Sequence, residues 1–302
     1  MPNLSIVLTV LLLAVTFPAQ AVLNVVTTTQ DLAAIAQAVG GRHVAAASLT
    51  PGGSDPHFAE AKPSMIRRAH DADLLLAVGA GLELGWLPAL LQAARNGRIL
   101  PGADGHLDVS LSIKLLDKPV GPVSRADGDV HLEGNPHYWL DPENGVAIAA
   151  AIAARLKQLD PAHAAEYEKQ LAAFSNELHS RLRGWRERLA WLKGQPAISY
   201  HKSFVYLAAA FGFRVVAEIE PKPGIPPSPA YLQQLVERIR AQNVRLLVME
   251  PFYERRSAAY LAEHAGIRMA LVPQSVGATP DIKTYFDLFD AIVASLNQAR
   301  GS

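Results

Sequence analysis

From residue 22 onward the chain alternates short apolar runs, many of them β-branched, with longer stretches whose apolar positions recur every three or four residues. The short runs read as strands buried on both faces and the longer stretches as amphipathic helices, so the alternation predicts parallel α/β layers. Residues 22–29, 44–50 and 74–79 are expected strands, and residues 31–39, 63–71 and 85–96 the helices among them. Asp31 is the expected cap of the first helix. Between residues 101 and 133 the periodicity gives way to Gly, Asp and Pro, which predicts a surface loop containing a little strand.

Two Asp-Pro steps then mark helix starts, because Asp accepts from free backbone N–H groups while Pro fits the first helical position. Asp141-Pro142 opens one helix and Asp160-Pro161 another. The second is expected to run unbroken over 161–193, on the order of 50 Å at about 1.5 Å per residue. Tyr167, Leu171, Phe174, Leu178, Leu182 and Trp185 recur along it at helical spacing, so it should lie along a core. The second half repeats the alternation, with strands expected at 197–200, 213–219, 244–249 and 267–272 and helices at 203–211, 228–242, 254–265 and 282–299. The predicted fold is α/β: two (β/α)4-type lobes with parallel sheets, at 22–159 and 194–302, joined by one long rigid helix at 160–193.

Composition narrows the class. At 302 residues, half of them apolar, the chain is long enough for two cores. Its 28 basic and 28 acidic side chains cancel, so no nucleic acid partner is expected. The sequence contains no cysteine, which removes disulfides, thiolate metal sites, a thiol nucleophile and a lipid-modified cysteine from consideration. Residues 1–21 read as an export signal: an apolar run over 4–17, then Pro18-Ala19-Gln20-Ala21, with cleavage expected after Ala21, although no Lys or Arg precedes the run. A membrane anchor is the competing reading, but the run is shorter than the roughly 20 residues that cross a bilayer. A periplasmic protein is the expectation.

Ligands of parallel sheets sit beyond the carboxyl ends of strands, and three histidines fall in such loops. His57, in Ser54-Asp55-Pro56-His57, follows a strand exit through Gly52-Gly53; His201, in Ser199-Tyr200-His201-Lys202, follows another. His137, in Asn135-Pro136-His137-Tyr138-Trp139, is held by Pro136 just ahead of the helix start at Asp141. Three neutral imidazoles suit a divalent transition metal, zinc before manganese, with one position left for a carboxylate or water. Each histidine alone reads equally as a hydrogen-bonded loop residue, and the three form no short regular motif. His131 reads as a solvated loop residue, with a secondary metal contact or scavenging group as the alternative. His43, His70, His163, His179 and His264 read as surface positions, and residues 221–229 as a stiff Pro-rich connection.

Taken together, Ser54-Asp55-Pro56-His57 with Lys62-Pro63-Ser64, the run from Asn135 through Asp141-Pro142, His201 ahead of an aromatic helix, and Val248-Met249-Glu250-Pro251 resemble a known family. It is that of the zinc and manganese solute-binding proteins of bacterial ABC importers, cluster A-I, and the similarity runs in order along nearly the whole mature chain. The resemblance implies two lobes bridged by a rigid helix, one metal in the interlobe cleft, and His57, His137 and His201 as its ligands. It implies zinc (Zn2+) over manganese (Mn2+), since His201 stands where other members carry Glu, and delivery to a membrane permease by a monomer without catalysis. Two departures matter. Residues 271–277 lack the Asp that many members offer as fourth ligand, and only His106 and His131 stand where zinc members carry a long His-rich loop. Glu250 or water is therefore the expected fourth ligand; Asp281 is a weaker candidate, better read as a cap of the last helix. The competing function is a zinc hydrolase with an open three-His site and Glu250 as base, although the chain has neither a His-Glu-x-x-His helix nor a nucleophile elbow.

Overall fold

The computed structural model describes residues 22–121, 131–222 and 224–301. The expected export signal at 1–21, residues 122–130 of the expected loop and Pro223 of the Pro-rich connection lie outside them. Eight described strands form two parallel sheets. The first contains β1 (Leu23–Thr27), β2 (Val44–Ser48), β3 (Leu74–Ala77) and β4 (His106–Asp108) in the order β2-β1-β3-β4. The second contains β5 (Pro196–Ser199), β6 (Arg214–Glu218), β7 (Leu246–Met249) and β8 (Arg268–Leu271) in the order β6-β5-β7-β8. The same path is thus traced twice. Strand order reverses between β1 and β3 and between β5 and β7, so each sheet presents a crevice at its carboxyl edge. Every residue of β3 and β7 is buried, which explains why both read as unbroken apolar runs.

Nine helices cover the sheets: α1 (Gln30–Gly40), α2 (Pro63–His70), α3 (Leu87–Ala94), α4 (Pro142–Leu159), α5 (Ala164–Arg188), α6 (Val205–Phe211), α7 (Pro229–Ala241), α8 (Arg256–Ala265) and α9 (Tyr285–Arg300), counted among the described residues. Their ends follow local chemistry. Asp141 accepts from Glu143 N ahead of Pro142, and Ser228 accepts from Tyr231 N ahead of Pro229. The last helix is capped by Thr284 with Asp287 in a reciprocal box, not by Asp281, which is exposed and bonded to Thr279.

Three apolar cores result. Val26, Leu75, Leu87 and Leu90 pack α2 and α3 on the outer face of the first sheet, and Ile198, Leu247, Leu235 and Leu261 pack α7 and α8 on the outer face of the second. The third core is continuous between the sheets, running from Val25 and Leu74 through α1, α4, α5 and α9 to Leu246 and Val248. The long helix α5 buries Tyr167, Phe174, Leu178, Leu182 and Trp185 in that shared core, as its spacing predicts. It is shorter than expected, at 25 residues, with 3-10 turns at Pro161–His163 and Ala190–Leu192. At that start Asp160 Oδ2 accepts from His163 Nδ1 at 2.5 Å and from Tyr167 OH at 2.7 Å, and its side chain caps no backbone N–H. No described helix is long and apolar enough to cross a membrane.

The two halves are also joined by buried polar contacts. Asp31 is not a cap: fully buried, it accepts from Ser275 Oγ at 2.6 Å and Val276 N at 2.9 Å in the opposite half. Trp139 Nε1 donates to Gln274 O at 2.7 Å, and Trp185 Nε1 to Asp290 Oδ1 at 2.7 Å. Gly52 comes so close to the second half that an added Cβ would lie 1.8 Å from Val276 O, which only glycine tolerates. Asp31→Ala should lower stability by roughly 1–3 kcal/mol, because it strands two buried donors. Burial pushes the Asp31 carboxyl from 3.8 up to about 7, so the native state holds a proton that the unfolded chain has released. Its contribution is present at low pH and lost as pH rises through about 7. Denaturant unfolding at low and high pH should therefore show Asp31→Asn gaining on the unsubstituted protein as pH rises.

Candidate metal centre

The three histidines singled out in the sequence converge. His57, His137 and His201 are all buried, and one ligand nitrogen from each lies within 4.8 Å of the other two. Their ring centroids stand 5.1, 5.3 and 5.4 Å apart, close to an equilateral triangle. His57 lies beyond β2 and His137 ahead of α4, both in the first half; His201 follows β5 in the second.

Each ring is fixed through its Nδ1. In Asp55-Pro56-His57, Asp55 Oδ1 accepts from His57 N at 3.0 Å and from His57 Nδ1 at 2.7 Å. Asn135-Pro136-His137 repeats the turn: Asn135 Oδ1 meets His137 N at 3.0 Å and Nδ1 at 3.0 Å. The Asn135 amide cannot be reversed, because its Nδ2 donates to Lys202 O at 2.7 Å. His201 Nδ1 meets Glu220 Oε2 at 2.7 Å, a partner supplied by the end of the neighbouring strand β6. A carboxylate only accepts, so Nδ1 carries the proton and Nε2 keeps its lone pair. His137 Nε2 is buried without any partner, an unusual state for a polar atom.

Electrostatics disfavour a charged ring at the buried His137. Burial, reinforced by His57, His201 and His131, holds His137 well below the ordinary histidine range. Burial alone would raise the Asp55 carboxyl, but its bond and charge interaction with His57 outweigh that and hold it low. The second oxygen of Asp55 accepts from Tyr253 OH at 3.1 Å, so a residue of the second half braces the carboxylate that orients His57. Tyr206 OH likewise bridges the halves, donating to Asn135 O at 2.8 Å and accepting from Leu116 N at 2.9 Å. Aromatic rings line the triangle: Trp139 lies 5.4 Å from His137, and Tyr253 lies 6.2 Å from His201 while stacking on Tyr200.

Two expectations about side chains change. Glu250 is fully buried at the end of β7, but it is not part of the cluster of ligand atoms. Its Oε1 accepts a short hydrogen bond from Ser203 Oγ, and burial pushes its pKa up to about 8. Its Oε2 is buried without a partner. His131 is no solvated loop residue: its Nε2 stands 3.2 Å from His57 Nε2, and burial drives its pKa down to about 3. His43, expected at the surface, is buried and stacked on His163 at 3.8 Å, with Nε2 2.8 Å from Glu166. Asp55, Asn135 and Glu220 went unnoticed as orienting groups. The repeated Asx-Pro-His triplet was a legible signal for the first two; Glu220, 19 residues from His201, offered none.

Residues 25–299 match the family described as ZnuA, zinc-uptake complex component A, periplasmic. The chain is 30% identical over 160 residues to the high-affinity zinc uptake system protein ZnuA of Brucella abortus, an alignment covering 53% of this chain and 47% of that protein. The matched stretch thus spans about half the length of that relative. It is 27% identical over 257 residues to the metal ABC transporter substrate-binding lipoprotein ScbA of Streptococcus cristatus, covering 81% of this chain and 77% of that one. A crystal structure of ZnuA shares the fold with a TM-score of 0.76 at 24% identity, covering 92% of this chain and 98% of the other.

The geometry predicts an unusual titration. In metal-free protein, the His131 ring should stay neutral on acidification to roughly pH 5 and take its proton only near pH 3, read by its imidazole C–H resonances. The unfolded chain takes that proton near pH 6.5, so this residue's contribution to stability is lost as pH falls below about 6.5.

Proposed function

The chain belongs to the ZnuA family of periplasmic zinc-uptake components, and from that premise we propose that it captures a zinc ion in the periplasm and delivers it to the membrane permease of an ABC importer. The observation that carries this reading is the trio of Nε2 atoms, each freed for a cation because its Nδ1 is already committed. Three neutral imidazoles form a borderline-soft nitrogen set that suits zinc, whereas manganese favours more oxygen. The orphaned His137 Nε2 gains a partner when an ion binds.

His131 is the fourth donor in this reading, in place of Glu250 or water. Zinc with Zn–N bonds of about 2.0–2.1 Å holds tetrahedral neighbours roughly 3.3 Å apart. The spacing of 3.2 Å between the Nε2 atoms of His131 and His57 matches that edge. One chain supplies every donor, so a monomer suffices. The shared core resists swinging one half away from the other, so release to the permease runs through the loops that carry His57 and His131. Hydrolysis draws no support, since the buried acid that would serve as base is protonated and turned to Ser203.

Zinc at about 100 times its dissociation constant should add roughly 2.7 kcal/mol of stability, seen as a higher thermal midpoint. His57→Ala, His137→Ala and His201→Ala should each abolish most of that shift; an undiminished shift in all three contradicts the proposal. Asn135→Ala should weaken zinc binding about 10- to 100-fold by freeing the His137 ring, measured by competition with a zinc-sensitive dye. Glu250→Gln should leave zinc affinity unchanged, because Glu250 Oε1 is committed to Ser203 Oγ.

A further inference from the structure

Next to the histidines, the first half of the molecule contains a cavity of about 1170 Å3. It is bounded by the 57–60 loop, the turn after β3, α3 and residues 131–133. His57 and His131 line it, and these are the two residues whose Nε2 atoms stand 3.2 Å apart at the proposed ion position. The cavity is therefore continuous with one side of the metal centre. His131 is the partition between them. It is seated over Gly81, where an added Cβ would come within 3.1 Å of its Nδ1.

The lining has a definite chemical character. Leu82, Trp86, Leu87 and Leu91 give it an apolar wall, and Leu84 and Leu132 at its edge are 77% and 72% exposed, apolar surface that a bound molecule would cover. Among the described residues its acidic groups are Glu60, Glu83, Asp108 and Glu133, and no Lys or Arg lines it. A volume at the upper end of small-molecule sites, an apolar wall and a few polar groups at one end are the features of an organic ligand pocket. A described lining that is acidic and without Lys or Arg disfavours carboxylate chelators such as citrate. The open nitrogen-lined end favours donors that coordinate zinc.

We propose that this cavity seats a neutral or cationic organic chelator with nitrogen donors, which completes the coordination of zinc in place of His131 while its apolar body lies against Trp86 and Leu91. The protein then takes up either the free ion, closed by His131, or the ion with such a co-ligand, closed by the chelator. This rests on zinc binding by His57, His137 and His201.

The test uses 2,2′-bipyridine as the nitrogen-donor probe and citrate as the carboxylate control, each titrated into zinc-loaded protein by calorimetry, with bound zinc measured after equilibrium dialysis. Ala59→Trp and Gln92→Trp narrow the cavity at a half-buried and an exposed lining position without altering any histidine. Bipyridine should bind the zinc-loaded protein one to one with zinc retained, and each Trp variant should weaken that binding about tenfold while zinc affinity stays constant. His131→Ala should bind bipyridine at least as tightly as the unsubstituted protein. The proposal is overturned if bipyridine merely strips the zinc, if the Trp variants bind it unchanged, if citrate binds as well, or if metal-free protein binds bipyridine equally. Failure of the underlying reading looks different: zinc alone then does not bind the unsubstituted protein.

Discussion

Everything at the metal centre depends on where three imidazole rings point, and that is fixed from behind, at Nδ1. Asp55, Asn135 and Glu220 each hold one ring, so three lone pairs converge instead of sweeping through their rotamers. The two carboxylates do more than orient. By accepting the Nδ1 proton they raise the electron density that Nε2 offers to a cation. Burial disfavours a charged ring at His137, which lacks water and faces the other imidazoles. A preset triangle of neutral nitrogens asks little reorganisation of an arriving ion, and its spacing discriminates by ligand number and type.

The groups that orient the ligands are themselves anchored across the molecule. Tyr253 of the second half holds the free oxygen of Asp55, and Tyr206 of the second half holds the carbonyl of Asn135. Trp139, two residues beyond His137, is tied through its indole to Gln274. Residues 271–277 serve as a docking strip for Trp139, Asp31 and Gly52. With one apolar core running between the sheets, these ties make the two halves a single frame. Flexibility for uptake and release is thereby left to the loops at the mouth.

The fold was largely legible because its strands are short, fully apolar and regularly spaced, as β3 and β7 illustrate. Most of the misplaced ends were overestimated by one or two residues, for pattern gives no boundary where the backbone leaves the sheet. The three central histidines were legible because strand exits and proline steps are local features. What stayed hidden was set by distant partners. Asp31 looks like a cap until Ser275, 244 residues away, claims it. Asp160 looks like a side-chain cap, yet it caps no backbone N–H and its Oδ2 meets Tyr167 and His163 instead. His131 sits in a polar loop and gives no sign that its ring meets His57. Glu250 follows a strand as a ligand would, and its bond to Ser203 had no local sign in the sequence.

The central claim is that imidazole nitrogens from both halves, oriented in advance, surround one zinc ion. X-ray absorption at the zinc edge on the stoichiometrically loaded protein tests it most directly. The account predicts a single shell of nitrogen donors at about 2.0–2.1 Å with the outer-shell scattering of at least three imidazoles, losing one imidazole in His201→Ala. An oxygen-dominated shell, or a spectrum unchanged by that substitution, would contradict it.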